Sequence, residues 1–94
     1  MPDSLIEKTC TVRNKMGLHA RPAAKLVQAA NRFPTCEVTF SKDGQDVNGK
    51  SIMGVLMLAA AKGTSITVKA EGDEAEACVE SISQLFERGF DEAI

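Results

Sequence analysis

The hydrophobic residues of this chain switch repeatedly between a period of two and a period near 3.6, and that alternation limits the folds it can adopt. A period of two is typical of a strand with one buried face, whereas a period of 3.6 is typical of a helix that buries one stripe. The pattern predicts the order β-α-β-β-α-β-α. The predicted elements are a strand at residues 5–13, a helix from about Ala20 that ends before Pro34, strands at 36–41 and 45–48, a short helix after Ser51, a strand at 65–70, and a helix between Asp73 and Gly89.

Residues at the ends of the predicted helices support these bounds. Pro22 fits a helix only in its first turn, where its missing N–H is not needed, so His19 is the expected N-cap. Ser51 precedes its apolar segment as an N-cap would, and Asp73, with Glu76 three residues later, resembles a capping box. Helices packed on one face of a largely antiparallel, four-stranded sheet, an α+β fold, would bury all of these stripes.

Chain length and composition exclude several classes of protein. The chain has 94 residues, which fit one domain over residues 1–94 with a modest core. The net charge is −2, no basic stripe is present, and there is no Trp or Tyr to stack on bases, so we expect no nucleic-acid partner. The amino terminus lacks a signal-peptide pattern, and the longest apolar stretch, residues 52–61, is too short to span a bilayer. We expect a cytoplasmic protein without membrane insertion.

The three cysteines, Cys10, Cys36 and Cys78, are widely spaced and odd in number. No CxxC pair occurs and the chain has one histidine, so a zinc site would need an unusual set of ligands. We expect reduced thiols that pack as small hydrophobes, and neither a metal nor a cofactor.

The segment Gly17–Ala23, GLHARPA, is the most informative stretch for function. A helix N-terminus carries free N–H groups, here those of Ala20 and Arg21, and a partial positive charge, so it can hold a phosphoryl group. The Arg21 side chain adds forked donors that suit phosphate oxygens. The same positive field disfavours an imidazolium, so we expect His19 to be neutral and nucleophilic at pH 7. On the residues alone, a histidine that is merely part of the helix start stays an open alternative.

The run GLHARPAA resembles the phosphohistidine signature of HPr, the histidine-containing phosphocarrier family of the bacterial phosphotransferase system. The similarity extends from residue 5 to about Gly89 and includes residues 49–55 and 61–63. It implies an open-faced β-sandwich and phosphorylation of His19 on Nδ1 by enzyme I, with phosphoenolpyruvate as the ultimate donor. It also implies transfer to an enzyme IIA protein or domain. Such a chain is a phosphoryl-transfer intermediate rather than a stand-alone enzyme, and members are generally monomeric when free.

The segment around Ser51 supports a structural and a regulatory interpretation. As an N-cap, Ser51 needs no further role. However, KSIMG resembles the serine segment that HPr kinase/phosphorylase modifies in many HPr proteins. Ile52, Met53 and Leu56 are spaced to share one side of the short helix, where the family binds its partners, although core packing is the plainer interpretation. A phosphate at the edge of this patch would repel acidic partner residues.

Two further patterns leave alternatives open. Residues 44–51 match the GxxxxGKS pattern of a P-loop, but Asp43-Gly44 is a hairpin signal and the helix after Ser51 is short, which argues against a nucleotide hydrolase. The ending LFERGFDE resembles the nitrogen-related branch of the system, whereas KSIMG resembles the kinase-regulated sugar branch. The alternative function is a purely regulatory HPr-like binding module that acts through Ser51. Relatives of that type replace the active histidine, which this sequence keeps.

Overall fold

The computed structural model describes residues 4–94, whose elements follow the predicted order. The strands are β1 (Ser4–Thr11), β2 (Glu37–Lys42), β3 (Gln45–Asn48) and β4 (Ser65–Gly72), and the helices are α1 (Ala20–Asn31), α2 (Ile52–Met57) and α3 (Ala75–Glu87). Within residues 4–94, no helix has the length and apolar content needed to cross a membrane.

The four strands form one antiparallel sheet in the order β1-β4-β2-β3. Cys10 of β1 lies opposite Ile66 of β4, and Phe40 of β2 lies opposite Val68 of β4, so the apolar residues of three strands share one face. The three helices cover that face. The opposite face is open and mostly polar, with side chains that include Glu7, Thr9, Thr39, Thr67 and Lys69 and the exposed apolar Leu5. The predicted α+β class and open-faced β-sandwich are therefore confirmed.

The predicted apolar stripes of α1 and α3 form the helical side of the core. In α1 the spacing i, i+3, i+4, i+7 places four residues against the sheet, and in α3 the corresponding stripe is buried except for the half-buried Leu85. Full burial of a large apolar side chain contributes about 1.5–3 kcal/mol, so these stripes fix both helices on the sheet. The buried stripe residues are Ala23, Leu26, Val27 and Ala30 in α1, and Cys78, Ile82 and Phe86 in α3.

All three cysteines are buried and free, as expected for thiols that pack as hydrophobes. Burial raises the pKa of the Cys78 thiol to about 11 and also raises the pKa of Cys10. Both thiols are therefore protonated at neutral pH and are poor nucleophiles.

The predicted N-cap positions, His19 for α1 and Ser51 for α2, are confirmed, but the predicted capping box at Asp73 is wrong. The hydroxyl of Ser51 accepts a hydrogen bond from the N–H of Gly54 at 3.1 Å. The helix α3 begins at Ala75, and its N-cap is Glu74, whose side chain makes no capping bond. Because the Glu74 backbone, at φ −114° and ψ 31°, is not helical, the helix begins two residues after Asp73. Glu76 is thus the second helical residue rather than the third, so the capping-box spacing is lost.

The chain turns sharply after α3, and this turn was only partly predicted. Gly89 has φ +61°, the expected left-handed C-cap. The next two residues, Phe90 and Asp91, also have positive φ, of 56° and 60°. The Phe90 ring is fully buried and packs edge-on against Phe86, with ring centroids 5.1 Å apart. The turn therefore directs the residues after Asp91 back towards the start of α1.

The P-loop pattern does not form a phosphate-binding loop. Asp43 and Gly44, both with positive φ, form the hairpin turn between β2 and β3. The Lys50 ammonium donates to the carbonyl oxygens of Phe33 at 2.9 Å and Cys36 at 2.6 Å. This lysine therefore supports the connection between α1 and β2 instead of binding a nucleotide phosphate.

Candidate functional site

The first turn of α1 places two free backbone donors directly after His19. His19 is the N-cap, with an extended backbone at φ −80° and ψ −167°, and its carbonyl accepts the first helical hydrogen bond from Ala23 at 3.0 Å. Within residues 4–94, the N–H groups of Ala20 and Arg21 find no acceptor, and Pro22 has no N–H. Both donors and the positive end of the helix are therefore available to an anion bound at His19.

The loop before His19 is held against the segment that follows α2. The Leu18 N–H donates to the Ala60 carbonyl at 2.9 Å, and the Leu18 side chain is buried. Gly17 has φ +72°, and a Cβ at this position would lie 2.6 Å from the same Ala60 oxygen. Only glycine fits both the backbone conformation and the close approach, so this residue fixes the path by which the chain reaches His19.

The His19 ring contacts a carboxylate from the other end of the chain. Its Nε2 lies 2.9 Å from Oε1 of Glu92, which also accepts a hydrogen bond from Nδ2 of Asn14 at 3.1 Å. The second proton on Asn14 Nδ2 goes to the Gly17 carbonyl at 2.8 Å. Because an ionised carboxylate only accepts hydrogen bonds, Nε2 carries the proton. In a neutral ring, Nδ1 then keeps its lone pair.

The electrostatics of this contact favour an ionised Glu92. The hydrogen bond from His19 is the main cause that lowers the pKa of Glu92, the donor on Asn14 and the positive charge of Arg21 add to it, and desolvation opposes it. The expectation that His19 is neutral at pH 7 stays a prediction.

His19 and Arg21 both remain accessible to a partner molecule. The His19 side chain is 39% exposed, compared with 13% for Glu92. Arg21 is exposed and makes no hydrogen bond or ion pair with any residue in the described range 4–94. Its guanidinium therefore has no competing polar contact within the described residues.

The residues predicted to dock partners lie on α2, which packs against α1. Ile52 is 43% exposed and Met53 is 69% exposed, whereas Leu56 is half-buried and packs against the core. Met16 and Met57 are also exposed, at 72% and 65%, and were not predicted. The apolar surface is thus formed by Ile52, Met53 and Met57 of α2, with Met16 exposed in the loop before His19.

Sequence reasoning missed Asn14 and Glu92. Asn14 stands in a loop, where a polar residue is ordinary, yet its side chain is fully buried. Glu92 follows the last predicted helix and lies 73 residues from His19 in the chain. The one available signal was the LFERGFDE ending, which ends at this carboxylate.

The lowered pKa of Glu92 predicts a pH-dependent contribution to stability. A carboxyl group with a lower pKa in the folded state stabilises the fold above its unfolded value, here 4.5, and loses that contribution as the pH falls through the folded value. We expect the excess stability of the native protein over Glu92→Gln to shrink as the pH falls below about 4.5. Urea unfolding at pH values from about 3 to about 7 measures this excess stability. The control is Glu7→Gln, which removes a carboxylate at an exposed site on β1 and so accounts for the lost charge. A difference that grows towards low pH would contradict the lowered pKa.

Known proteins resemble this chain over most of its length. The family model described as PTS HPr component phosphorylation site matches residues 6–88. The phosphocarrier protein HPr of Xylella fastidiosa (strain Temecula1) is 47% identical over 88 residues, which cover 94% of this chain and 98% of that protein. The HPr-like protein Crh of Halalkalibacterium halodurans is 45% identical over 84 residues, which cover 89% and 99%.

A solved structure agrees with the fold. The crystal structure of HPr-C-His from Thermoanaerobacter tengcongensis has a TM-score of 0.89 with this chain, at 40% identity, and the match covers 95% of this chain and 99% of that one. Together with the family match over residues 6–88, these likenesses show that the chain belongs to the HPr family of the phosphotransferase system.

Proposed function

We propose that this chain is a phosphocarrier that accepts a phosphoryl group on Nδ1 of His19 from phospho-enzyme I and transfers it to an enzyme IIA protein or domain. The observation that carries the proposal is the combination at the start of α1, where His19 is followed by two free backbone donors and its Nε2 lies 2.9 Å from the Glu92 carboxylate. This leaves Nδ1 as the nitrogen with a lone pair for attack on phosphorus.

The neighbouring groups suit a bound phosphoryl group. The N–H groups of Ala20 and Arg21 supply two hydrogen bonds to its oxygens, and the positive end of α1 adds to them. The exposed Arg21 guanidinium balances the negative charge. None of these groups has to be displaced from another partner within the described chain. The groups that would bind the phosphoryl group are therefore preorganised, and a partner protein does not need to rearrange them for each transfer.

The first test labels the protein with phosphoenolpyruvate and enzyme I. We expect acid-labile phosphate on the native protein, none on His19→Ala, and label on His19 confirmed by mass spectrometry of intact peptides. Arg21→Ala should slow labelling by on the order of tenfold, and Arg21→Lys by less, because one lysine charge remains.

Full labelling of His19→Ala would sink the proposal. A native protein that takes no label, but binds a regulatory partner once Ser51 carries phosphate, would instead support the alternative of a purely regulatory module. The similarity to a protein named Crh is what keeps that alternative in view. We propose further that the chain acts in the cytoplasm and is a monomer when free. Sedimentation equilibrium of the purified protein tests the oligomeric state.

We also propose that phosphorylation of Ser51 by an HPr kinase/phosphorylase weakens docking at the surface formed by Ile52 and Met53. Ser51 is half-buried at the start of α2, where a phosphate meets helix N–H groups and the fold tolerates it. Both apolar side chains are exposed and follow it directly. A dianion at that edge adds desolvation cost and repels acidic groups of an arriving partner.

The docking proposal predicts that Ser51→Asp and Met53→Glu each lower kcat/KM for phosphorylation by enzyme I by about tenfold, with thermal unfolding unchanged. Leu5→Glu is the matched control, because Leu5 is a 56% exposed apolar residue of β1 on the open face of the sheet. Equal losses in the control and in Met53→Glu, or no loss in Ser51→Asp, would contradict docking at this surface.

A further inference from the structure

We propose that Glu92 is a positioning residue for phosphotransfer, which holds the proton on Nε2 of His19 so that the ring accepts phosphate through Nδ1 and leaves as a neutral imidazole. The inference rests on the proposed function of His19. It adds a role for a carboxylate that lies beyond the residues 6–88 of the family match. The direct observation is the 2.9 Å contact between Nε2 and Oε1 of Glu92.

The segment that carries Glu92, residues 89–93, is called here the C-terminal strap. Its first three residues are all left-handed, with φ values of 61° at Gly89, 56° at Phe90 and 60° at Asp91. That conformation is unfavourable for a bulky residue such as Phe90, and it persists only where surrounding contacts determine it. The C-terminal strap therefore has a defined backbone conformation that its contacts with the rest of the fold maintain.

Three contacts on separate elements determine the strap. The Phe90 ring is fully buried against Phe86. The Lys25 ammonium of α1 donates to the Phe90 carbonyl at 2.7 Å. The Lys15 N–H donates to the Ala93 carbonyl, also at 2.7 Å. These contacts lie on both sides of Glu92, so they set the position of its carboxylate relative to His19.

A buried amide orients the same carboxylate. Asn14 is fully buried. Its Nδ2 donates two hydrogen bonds, one to the Gly17 carbonyl and one to Glu92, while its Oδ1 has no hydrogen-bond partner within the described chain. The reverse amide orientation would aim Oδ1 at two acceptors. A buried acceptor without a hydrogen bond costs free energy. The two hydrogen bonds that Asn14 donates are therefore formed although its Oδ1 stays unsatisfied.

The proton on Nε2 matters for both directions of transfer. When Nδ1 attacks, its lone pair forms the N–P bond, and the electrons of the broken bond stay with the donor. The ring then carries both the Nε2 proton and the phosphoryl group, with a positive charge that the Glu92 carboxylate stabilises. When the acceptor attacks, the N–P electrons return to Nδ1 and the ring leaves neutral. A carboxylate behind a reacting histidine fixes the tautomer in this way in hydrolase triads.

The first measurement uses unphosphorylated protein, so it does not depend on phosphotransfer. Long-range proton–nitrogen spectra of the neutral ring at alkaline pH identify the nitrogen that carries the proton. We expect the Nε2–H form in the native protein and a larger share of the Nδ1–H form in Glu92→Ala. Glu92→Gln should restore the native pattern, because its amide oxygen accepts the same hydrogen bond.

The second measurement is single-turnover transfer from phosphorylated His19 to enzyme IIA. We expect a loss of about tenfold or more in both Glu92→Ala and Glu92→Gln, because without the carboxylate fewer phosphorylated rings keep the Nε2 proton, and an unprotonated ring would have to leave as an imidazolate. Glu87→Gln is the matched control, since it removes an exposed carboxylate at the end of α3 and should transfer at the native rate.

A native tautomer and a native transfer rate in Glu92→Ala would overturn the inference. The two proposals fail differently. If the native protein takes no phosphate, the proposed function fails, and the tautomer spectra still decide whether Glu92 orients the ring. If all variants carry phosphate and transfer it equally, His19 keeps its role and Glu92 loses the one assigned here.

Discussion

The start of α1 is the constraint on which the rest of the site depends. His19 ends the loop and begins the helix, so the next two N–H groups point away from any helical acceptor, and Pro22 allows no third. The direction of those donors is fixed by the burial of α1 on the sheet through residues such as Leu26. A small fold can therefore offer a firm anion site without a deep cleft, because the helix supplies the donors and the sheet holds the helix.

Three parts of the chain meet at this helix start. The loop before it is held by Gly17, whose backbone approaches Ala60. The C-terminal strap arrives from α3 and brings Glu92 to the imidazole. Asn14 joins the loop to the strap through its two donated hydrogen bonds. The charged groups differ in their exposure, because Arg21 is exposed whereas the Glu92 carboxylate is largely buried beside the imidazole.

Local signals explain which features the sequence could predict. The N-cap positions of His19 and Ser51 follow from a proline and a hydroxyl that act within one helical turn. Asp73 carried a similar local signal, but the backbone of Glu74 is not helical and α3 begins at Ala75. In that case the local capping preference did not determine the helix start.

The position of Glu92 beside His19 could not be predicted from the sequence, for a different reason. Its contact with His19 joins residues 73 positions apart, and it depends on a left-handed turn through Phe90 that local preference disfavours. Hydrophobic periodicity indicates which faces of helices and strands are buried. It does not indicate where a strained turn places the next side chain. The same limit applies to the contact between Asn14 and the strap, although Asn14 also donates to the Gly17 carbonyl three residues further along the chain.

The most direct test of the account is the response of two backbone amides to phosphorylation. Nitrogen-15-labelled protein is phosphorylated with phosphoenolpyruvate and enzyme I, and the amide proton shifts of Ala20 and Arg21 are compared before and after. The account predicts that both move strongly downfield, because each N–H comes to donate to a phosphoryl oxygen, while amides in the middle of α1 change little. Unchanged shifts at Ala20 and Arg21, in protein that carries phosphate on His19, would contradict it.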